Sequence, residues 1–120
     1  MKILHLSTAN ITLAVRIWGD NNTLAPTLIM VHGFPDNSLV WQTIAEQLSK
    51  VFRVVAYDVR GAGDSSIPKA TSAYKIRYLV DDLAAVIDAV SPSQAVHLIG
   101  HDWGAIQCWE AVTTPRLAGR

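Results

Sequence analysis

The sequence is poor in cysteine, in net charge and in long hydrophobic segments. Cys108 is its one cysteine, so no disulfide can form within the chain and a reducing compartment is expected. The sequence has ten basic and ten acidic residues, and this balance argues against electrostatic binding to nucleic acid or to a membrane surface. The longest unbroken apolar run, residues 83–87, is far too short to cross a bilayer. These absences predict a cytoplasmic protein with neither a nucleic-acid nor a membrane partner.

What is present is an alternation of strand and helix patterns. Two β-leaning runs, residues 3–7 and 12–18, come first, and apolar residues alternate with others in the second, which is typical of a half-buried strand. Three buried strand patterns follow, at 27–31, at 53–57 and from Ala95, each leading into an amphipathic helix. The helices are predicted after a cap at Asn37 or Ser38, over 76–90, and from Gly104, with Trp41 and Trp109 in the core. This order predicts an α/β fold, an antiparallel ββ pair followed by βαβαβα with a parallel sheet.

The last strand and its helix enclose a turn with a distinctive spacing. Gly100 and Gly104 flank Asp102 in GHDWGA (100–105), the small-x-nucleophile-x-small pattern of a nucleophile elbow. Glycine suits both flanks because the turn is strained and strand and helix pass close together. Taken by itself, the turn fits equally well a strand-to-helix connection in which Asp102 only caps the helix.

Two further strand ends carry distinctive residues, in HGFPD (32–36) and DVRGAGDS (58–65). The carboxyl ends of neighbouring parallel strands meet at one edge of a sheet, so we expect all three motifs to come together there. Asp58, Arg60 and Ser65 are expected to fix the second loop by hydrogen bonds rather than to react. No histidine has metal-ligand spacing with acids or cysteine, so neither a metal nor another cofactor is expected.

With these three motifs the sequence resembles the α/β-hydrolase fold and, within it, the epoxide hydrolases that use an aspartate nucleophile. It is most similar to the hydrolase domain that some bacteria fuse to a short-chain dehydrogenase, which implies a fused or downstream dehydrogenase as a partner. The resemblance implies that Asp102 is the nucleophile and that the backbone N–H groups of Phe34 and Trp103 form the oxyanion hole. It also implies a substrate pocket lined by Phe34, Pro35 and Trp103. The residues expected to support these motifs are His32, Gly33, Asp58, Arg60, Gly100 and Gly104.

An aspartate nucleophile narrows the chemistry. A carboxylate that attacks a saturated carbon leaves an alkyl ester, which water can then cleave, whereas attack on an acyl carbon would only give an anhydride. The substrate is therefore expected to be a small epoxide or a related electrophile. Haloalkane dehalogenases, the alternative, commonly bind halide through a side-chain amide where Phe34 stands, and fluoroacetate dehalogenases carry arginine where Trp103 stands. Opening of an epoxide to a diol is favoured.

The catalytic set is incomplete in the sequence. No histidine follows Asp102, and the one acid that does, Glu110, lies about 12 Å along the same helix. The resemblance places the acid, the histidine and the lid beyond the elbow, so residues 1–120 are interpreted as the N-terminal half of a hydrolase domain that lacks turnover. The alternative is a catalytically inactive fragment, or an interaction module that self-associates through the sheet edge left exposed by its last strand.

Overall fold

Five strands form one mixed sheet in the computed structural model, which describes residues 1–120. The strands are β1 (Lys2–Thr8), β2 (Ile11–Trp18), β3 (Thr27–Val31), β4 (Arg53–Tyr57) and β5 (His97–Gly100). Their order across the sheet is β1-β2-β4-β3-β5. The pairs β1–β2 and β2–β4 are antiparallel, while β4, β3 and β5 run parallel. The predicted α/β fold is thereby confirmed.

Three α-helices connect or follow the parallel strands: α1 (Gln42–Leu48), α2 (Ile76–Val90) and α3 (Trp103–Val112). Single 3-10 turns cover Ser38–Trp41, Thr71–Tyr74 and Pro115–Leu117. The carboxamide oxygen of Asn37 accepts the N–H of Leu39 at 2.9 Å, so Asn37 provides the predicted cap. The last predicted strand begins at His97, two residues later than its apolar pattern predicts, and the prediction that it is buried is wrong, because His97 and Ile99 are exposed and Leu98 and Gly100 only partly buried. No helix is long and apolar enough to cross a membrane.

Helices cover the sheet on both faces. Along β3, Ile29 and Val31 belong to the larger apolar cluster, which includes residues of α2 and α3, while Leu28 and Met30 belong to a smaller one that includes Ala45 of α1. Every residue of β3 is buried. The continuous apolar runs of β3 and β4 follow from this arrangement, because a strand covered on both faces has no solvent side.

The second strand is buried on both faces, so the prediction of a half-buried β2 is wrong. Ala14 and Arg16, on the face predicted to be polar, are only 1% and 5% exposed. The guanidinium of Arg16 is tolerated there because it forms an ion pair with the buried carboxylate of Asp58. The charged residue in this strand therefore indicates a buried ion pair and not a solvent-exposed face.

The fifth strand lies at the edge of the sheet and pairs with β3 alone. Helix α3 packs against β5, β3 and α2, but its apolar residues Ile106 and Val112 remain exposed. The prediction that Trp109 belongs to the core is wrong for this reason, since the residue is 72% exposed. Trp41 is partly buried and packs against the smaller apolar cluster, as predicted.

Candidate active site

Hydrogen bonds tie the carboxyl ends of the three parallel strands together. The N–H of His101 donates to the carbonyl of Val31 at 3.1 Å, which joins the end of β5 to the end of β3. The N–H of Phe34 donates to the Asp102 carboxylate, also at 3.1 Å. Because the N–H of Val59, after β4, also bonds the ring of His32, after β3, all three sequence motifs meet at one edge of the sheet, as their order along the chain predicts.

Asp102 has the backbone conformation of an elbow. Its φ of 58° and ψ of −126° lie in a region that residues other than glycine rarely occupy. Its side chain caps no N–H further along α3, so the helix-cap alternative is wrong. The exposed carboxylate instead lies beside the backbone N–H groups of Trp103 and Phe34, and these two donors lower its pKa, Trp103 the more strongly. Asp102 is therefore ionised at neutral pH and faces solvent.

Glycines allow the close approaches that this turn requires. A Cβ atom on Gly104 would collide with the carbonyl oxygen of Val31 and lie 2.6 Å from that of His32, both of them backbone atoms. A Cβ atom on Gly33 would lie 2.5 Å from the Cβ of Asp102. Larger residues at these positions would separate α3 from β3 or displace the nucleophile candidate.

His32 fixes the neighbouring wall of the site. It is 1% exposed, and its Nε2 accepts the N–H of Val59 at 3.0 Å, which links the ends of β3 and β4. That bond requires the proton to be on Nδ1, which then donates to the carbonyl of Gly33 at 2.8 Å. Because both ring nitrogens are engaged, His32 is a structural residue and not a free base.

Asp58 anchors the loop after β4. Its buried carboxylate accepts hydrogen bonds from the N–H and hydroxyl of Ser38 at 2.8 and 2.6 Å and from the N–H of Asp64 at 2.9 Å. Burial alone would raise its pKa, but these bonds and the Arg16 guanidinium outweigh burial, and the pKa is lowered. Ser65 completes the predicted set by accepting the N–H of Ala14 at 2.9 Å.

Arg60 has a comparable structural role on the other side of the loop. Its guanidinium donates to both oxygens of Asp82 on α2, at 2.6 and 2.8 Å, and both residues are buried. The pair attaches the loop after β4 to the helix layer. The predicted loop-fixing roles of Asp58, Arg60 and Ser65 are confirmed by these contacts.

An open cleft of about 450 Å³ lies next to the elbow, lined by the neighbours of Asp102 rather than by Asp102 itself. Phe34 and Trp103, whose N–H groups lie at that carboxylate, line it together with Pro35, so all three predicted pocket residues face one space. Their side chains leave the cleft accessible, since Phe34 is 78% and Trp103 57% exposed. No group of three or more His, Cys, Asp or Glu side chains is placed to hold a metal ion.

Comparison with known proteins identifies the fold family. Residues 26–115 match the model of the alpha/beta hydrolase fold. This chain belongs to the α/β-hydrolase family. The match covers the three strand ends and the elbow described above, so the family's motifs coincide with the places where the structure brings polar groups together.

Among individual proteins, this α/β hydrolase is similar to several epoxide hydrolases. It is 37% identical over 112 residues to the epoxide hydrolase of Caballeronia sordidicola, covering 92% of this chain and 32% of the relative. It superimposes on the crystal structure of epoxide hydrolase VrEH1 from Vigna radiata with a TM-score of 0.87 and 32% identity, covering 97% of this chain and 36% of that one.

One similar protein is described as an oxidoreductase and not as a hydrolase. The chain is 41% identical over 106 residues to the probable oxidoreductase EphD of Mycobacterium tuberculosis H37Rv, covering 88% of this chain and 18% of the relative. The α/β hydrolase thus spans about a third or less of the length of the curated relatives it matches.

Among the residues that line the cleft, Tyr74 and Gln107 lie outside the three sequence motifs and were given no site role from the sequence. Tyr74 lies in a polar loop with no periodic pattern, so nothing in the sequence pointed to it. Gln107 was open to detection, because it is the one strongly polar side chain in the otherwise apolar stretch 103–109 at the start of α3.

Proposed function

We propose that this α/β hydrolase is of the epoxide hydrolase type and that Asp102 is its nucleophile. An Asp102 oxygen attacks a ring carbon of the epoxide, a C–O bond forms to give an alkyl ester, and the ring C–O bond breaks in line. The ring oxygen leaves with the bonding electrons and takes a proton from water. The observation that carries the proposal is the elbow itself, which presents an ionised carboxylate to solvent at the edge of an open cleft.

We infer that the N–H groups of Phe34 and Trp103 serve both halves of the reaction. In the free protein they orient the carboxylate and lower its pKa. When water attacks the ester carbonyl, the charge develops on the oxygen beside them, where preorganised donors stabilise it most. Phe34 contributes only its backbone N–H, and its apolar ring leaves no amide to hold a halide, so the haloalkane dehalogenase alternative is disfavoured.

We propose that cleavage of the ester depends on residues outside this chain. Water must be activated by a base, and His32 is committed to two structural hydrogen bonds. Residues 1–120 would then be the N-terminal half of a domain whose acid, histidine and lid lie elsewhere in the complete protein. The epoxide hydrolases that resemble this chain support this, because it covers only 32% and 36% of their length.

Two further proposals concern the rest of the complete protein and its location in the cell. The similarity to a probable oxidoreductase that is more than five times as long as the matched region supports a fused dehydrogenase domain in the complete protein. The single cysteine supports a cytoplasmic location.

A separate candidate, self-association, is favoured by one observation: the outer edge of β5 is unpaired, and Ile99 of this strand is 40% exposed. Analytical ultracentrifugation tests it, and a monomer at high concentration would exclude it.

Intact-mass spectrometry tests the proposed nucleophile. The purified chain and Asp102→Asn are incubated with styrene oxide, and with benzyl chloride as the matched halide. We expect one adduct of the epoxide on the unmodified sequence, slower reaction with the halide, and no adduct on Asp102→Asn. Equal labelling of both proteins would exclude Asp102, and faster reaction with the halide would favour the dehalogenase alternative. Circular dichroism confirms that the variant is folded.

A further inference from the structure

Gln107 is a buried polar side chain without a hydrogen-bond partner. It is 4% exposed, and its carboxamide oxygen is shielded from solvent yet accepts no hydrogen bond. Leaving such an acceptor unsatisfied typically costs folding stability, so its presence in a native core calls for a reason. The residue lines the cleft beside Asp102.

The position of Gln107 along α3 sets its distance from the nucleophile. It follows Asp102 by five residues, a rise of about 7.5 Å along a helix. Helical side chains lean toward the N-terminus of their helix, so the carboxamide extends back toward the elbow. From this helix geometry we infer a gap of a few ångströms between the two groups, which suits a substrate with two or three carbon atoms between its reacting carbon and a polar group.

The rest of the cleft does not supply a partner for that carboxamide. The hydroxyl of Tyr74 donates to the carbonyl of Pro68 at 2.6 Å, and the Arg60 guanidinium is paired with both oxygens of Asp82. These polar groups are therefore already satisfied within the protein. Among the buried side-chain atoms of the residues that line the cleft, the carboxamide oxygen of Gln107 is the one without a hydrogen-bond partner.

We propose that Gln107 is a specificity-determining residue that accepts a hydrogen bond from a hydroxyl group on the substrate. The preferred substrates would be epoxides that carry a hydroxyl two or three carbons from the ring. This rests on the proposed function of Asp102 and adds the substrate class to it. A site built around an unpaired polar group discriminates strongly against the analogue that lacks the matching group, because binding the analogue leaves the acceptor buried and unpaired.

Ligand binding tests the proposal independently of the reaction. Dissociation constants of a diol, butanediol with vicinal hydroxyls, and of a triol, its analogue with a third hydroxyl at the far end of the chain, are measured by ligand-observed NMR. We expect the third hydroxyl to tighten binding about tenfold. Gln107→Met keeps the length of the side chain and removes the carboxamide, so the preference should disappear. Gln47→Met, at an exposed position of α1, is the matched control and should keep it.

The unfolding temperature of Gln107→Met separates a specificity role from a structural one. If the carboxamide serves a ligand, its removal leaves the temperature unchanged or higher; if it serves the fold, the temperature falls. Equal affinity for the diol and the triol, a preference that survives in Gln107→Met, or failure of both ligands to bind would overturn the proposal. The Asp102 labelling experiment is read separately, so a chain that selects the triol but forms no adduct would refute the proposed function alone.

Discussion

The contact between α3 and β3 at Gly104 offers a quantitative test of the elbow geometry. In Gly104→Ala, the added methyl group meets backbone oxygens of Val31 and His32 that no rotamer change can move. Overpacking against such atoms costs about 3 kcal/mol, the upper end of its usual range. The helix propensity of alanine returns at most about 1 kcal/mol. The free energy of unfolding should therefore fall by about 2 kcal/mol.

Urea unfolding followed by circular dichroism measures this loss. With a slope of about 2 kcal/mol per molar, the midpoint should fall by about 1 M. Glu110→Ala is the matched control, because it adds an alanine at an exposed position of the same helix and should shift the midpoint little. An unchanged midpoint in Gly104→Ala would show that α3 does not pass as close to β3 as described, and the interpretation of the glycine spacing would be refuted.

Three further predictions concern buried or partly buried groups. Because the pKa of Asp58 is lowered in the folded protein, its ionised carboxylate stabilises the fold above the ordinary aspartate pKa, and this stability is lost as pH falls through the lower folded pKa. Asp58→Asn should therefore make the free energy of unfolding depend less on pH in the acidic range. An unchanged dependence would contradict this. Asp82→Ala leaves the Arg60 charge buried without its partner, so the free energy of unfolding measured in urea should fall by about 3–5 kcal/mol. A fall of less than about 1 kcal/mol would contradict this. Burial raises the pKa of Cys108 to about 11, so iodoacetamide at pH 8 should modify the folded chain far more slowly than the denatured one; equal rates would contradict it.

Strands and helices with a uniform environment were predictable from the sequence. The bounds of β3, β4 and α2 follow from apolar runs and from spacing of three and four residues, since each is covered in a regular way along its length. The convergence of the three motifs was equally predictable, because it follows from the parallel order of the strands. The sequence thus carries the topology of the site.

Features that depend on contacts between distant residues were not predictable. Arg16 looked like a solvent-facing residue until the structure placed the Asp58 carboxylate, 42 residues away in sequence, beside its guanidinium. Trp109 looked like a core residue because an apolar pattern shows which side of a helix seeks cover, and not whether another element supplies it. Gln107 was overlooked because a pattern search counts apolar positions and passes over the polar residue among them.

The site of covalent labelling tests the central claim most directly. After reaction with styrene oxide, peptide mapping by tandem mass spectrometry locates the adduct among all the carboxylates of the chain. The elbow geometry predicts modification at Asp102 and none at exposed helix carboxylates such as Glu46 and Glu110, which lack the paired N–H donors. Labelling spread over those exposed carboxylates, with Asp102 no more reactive than the rest, would contradict the assignment of Asp102 as a preorganised nucleophile.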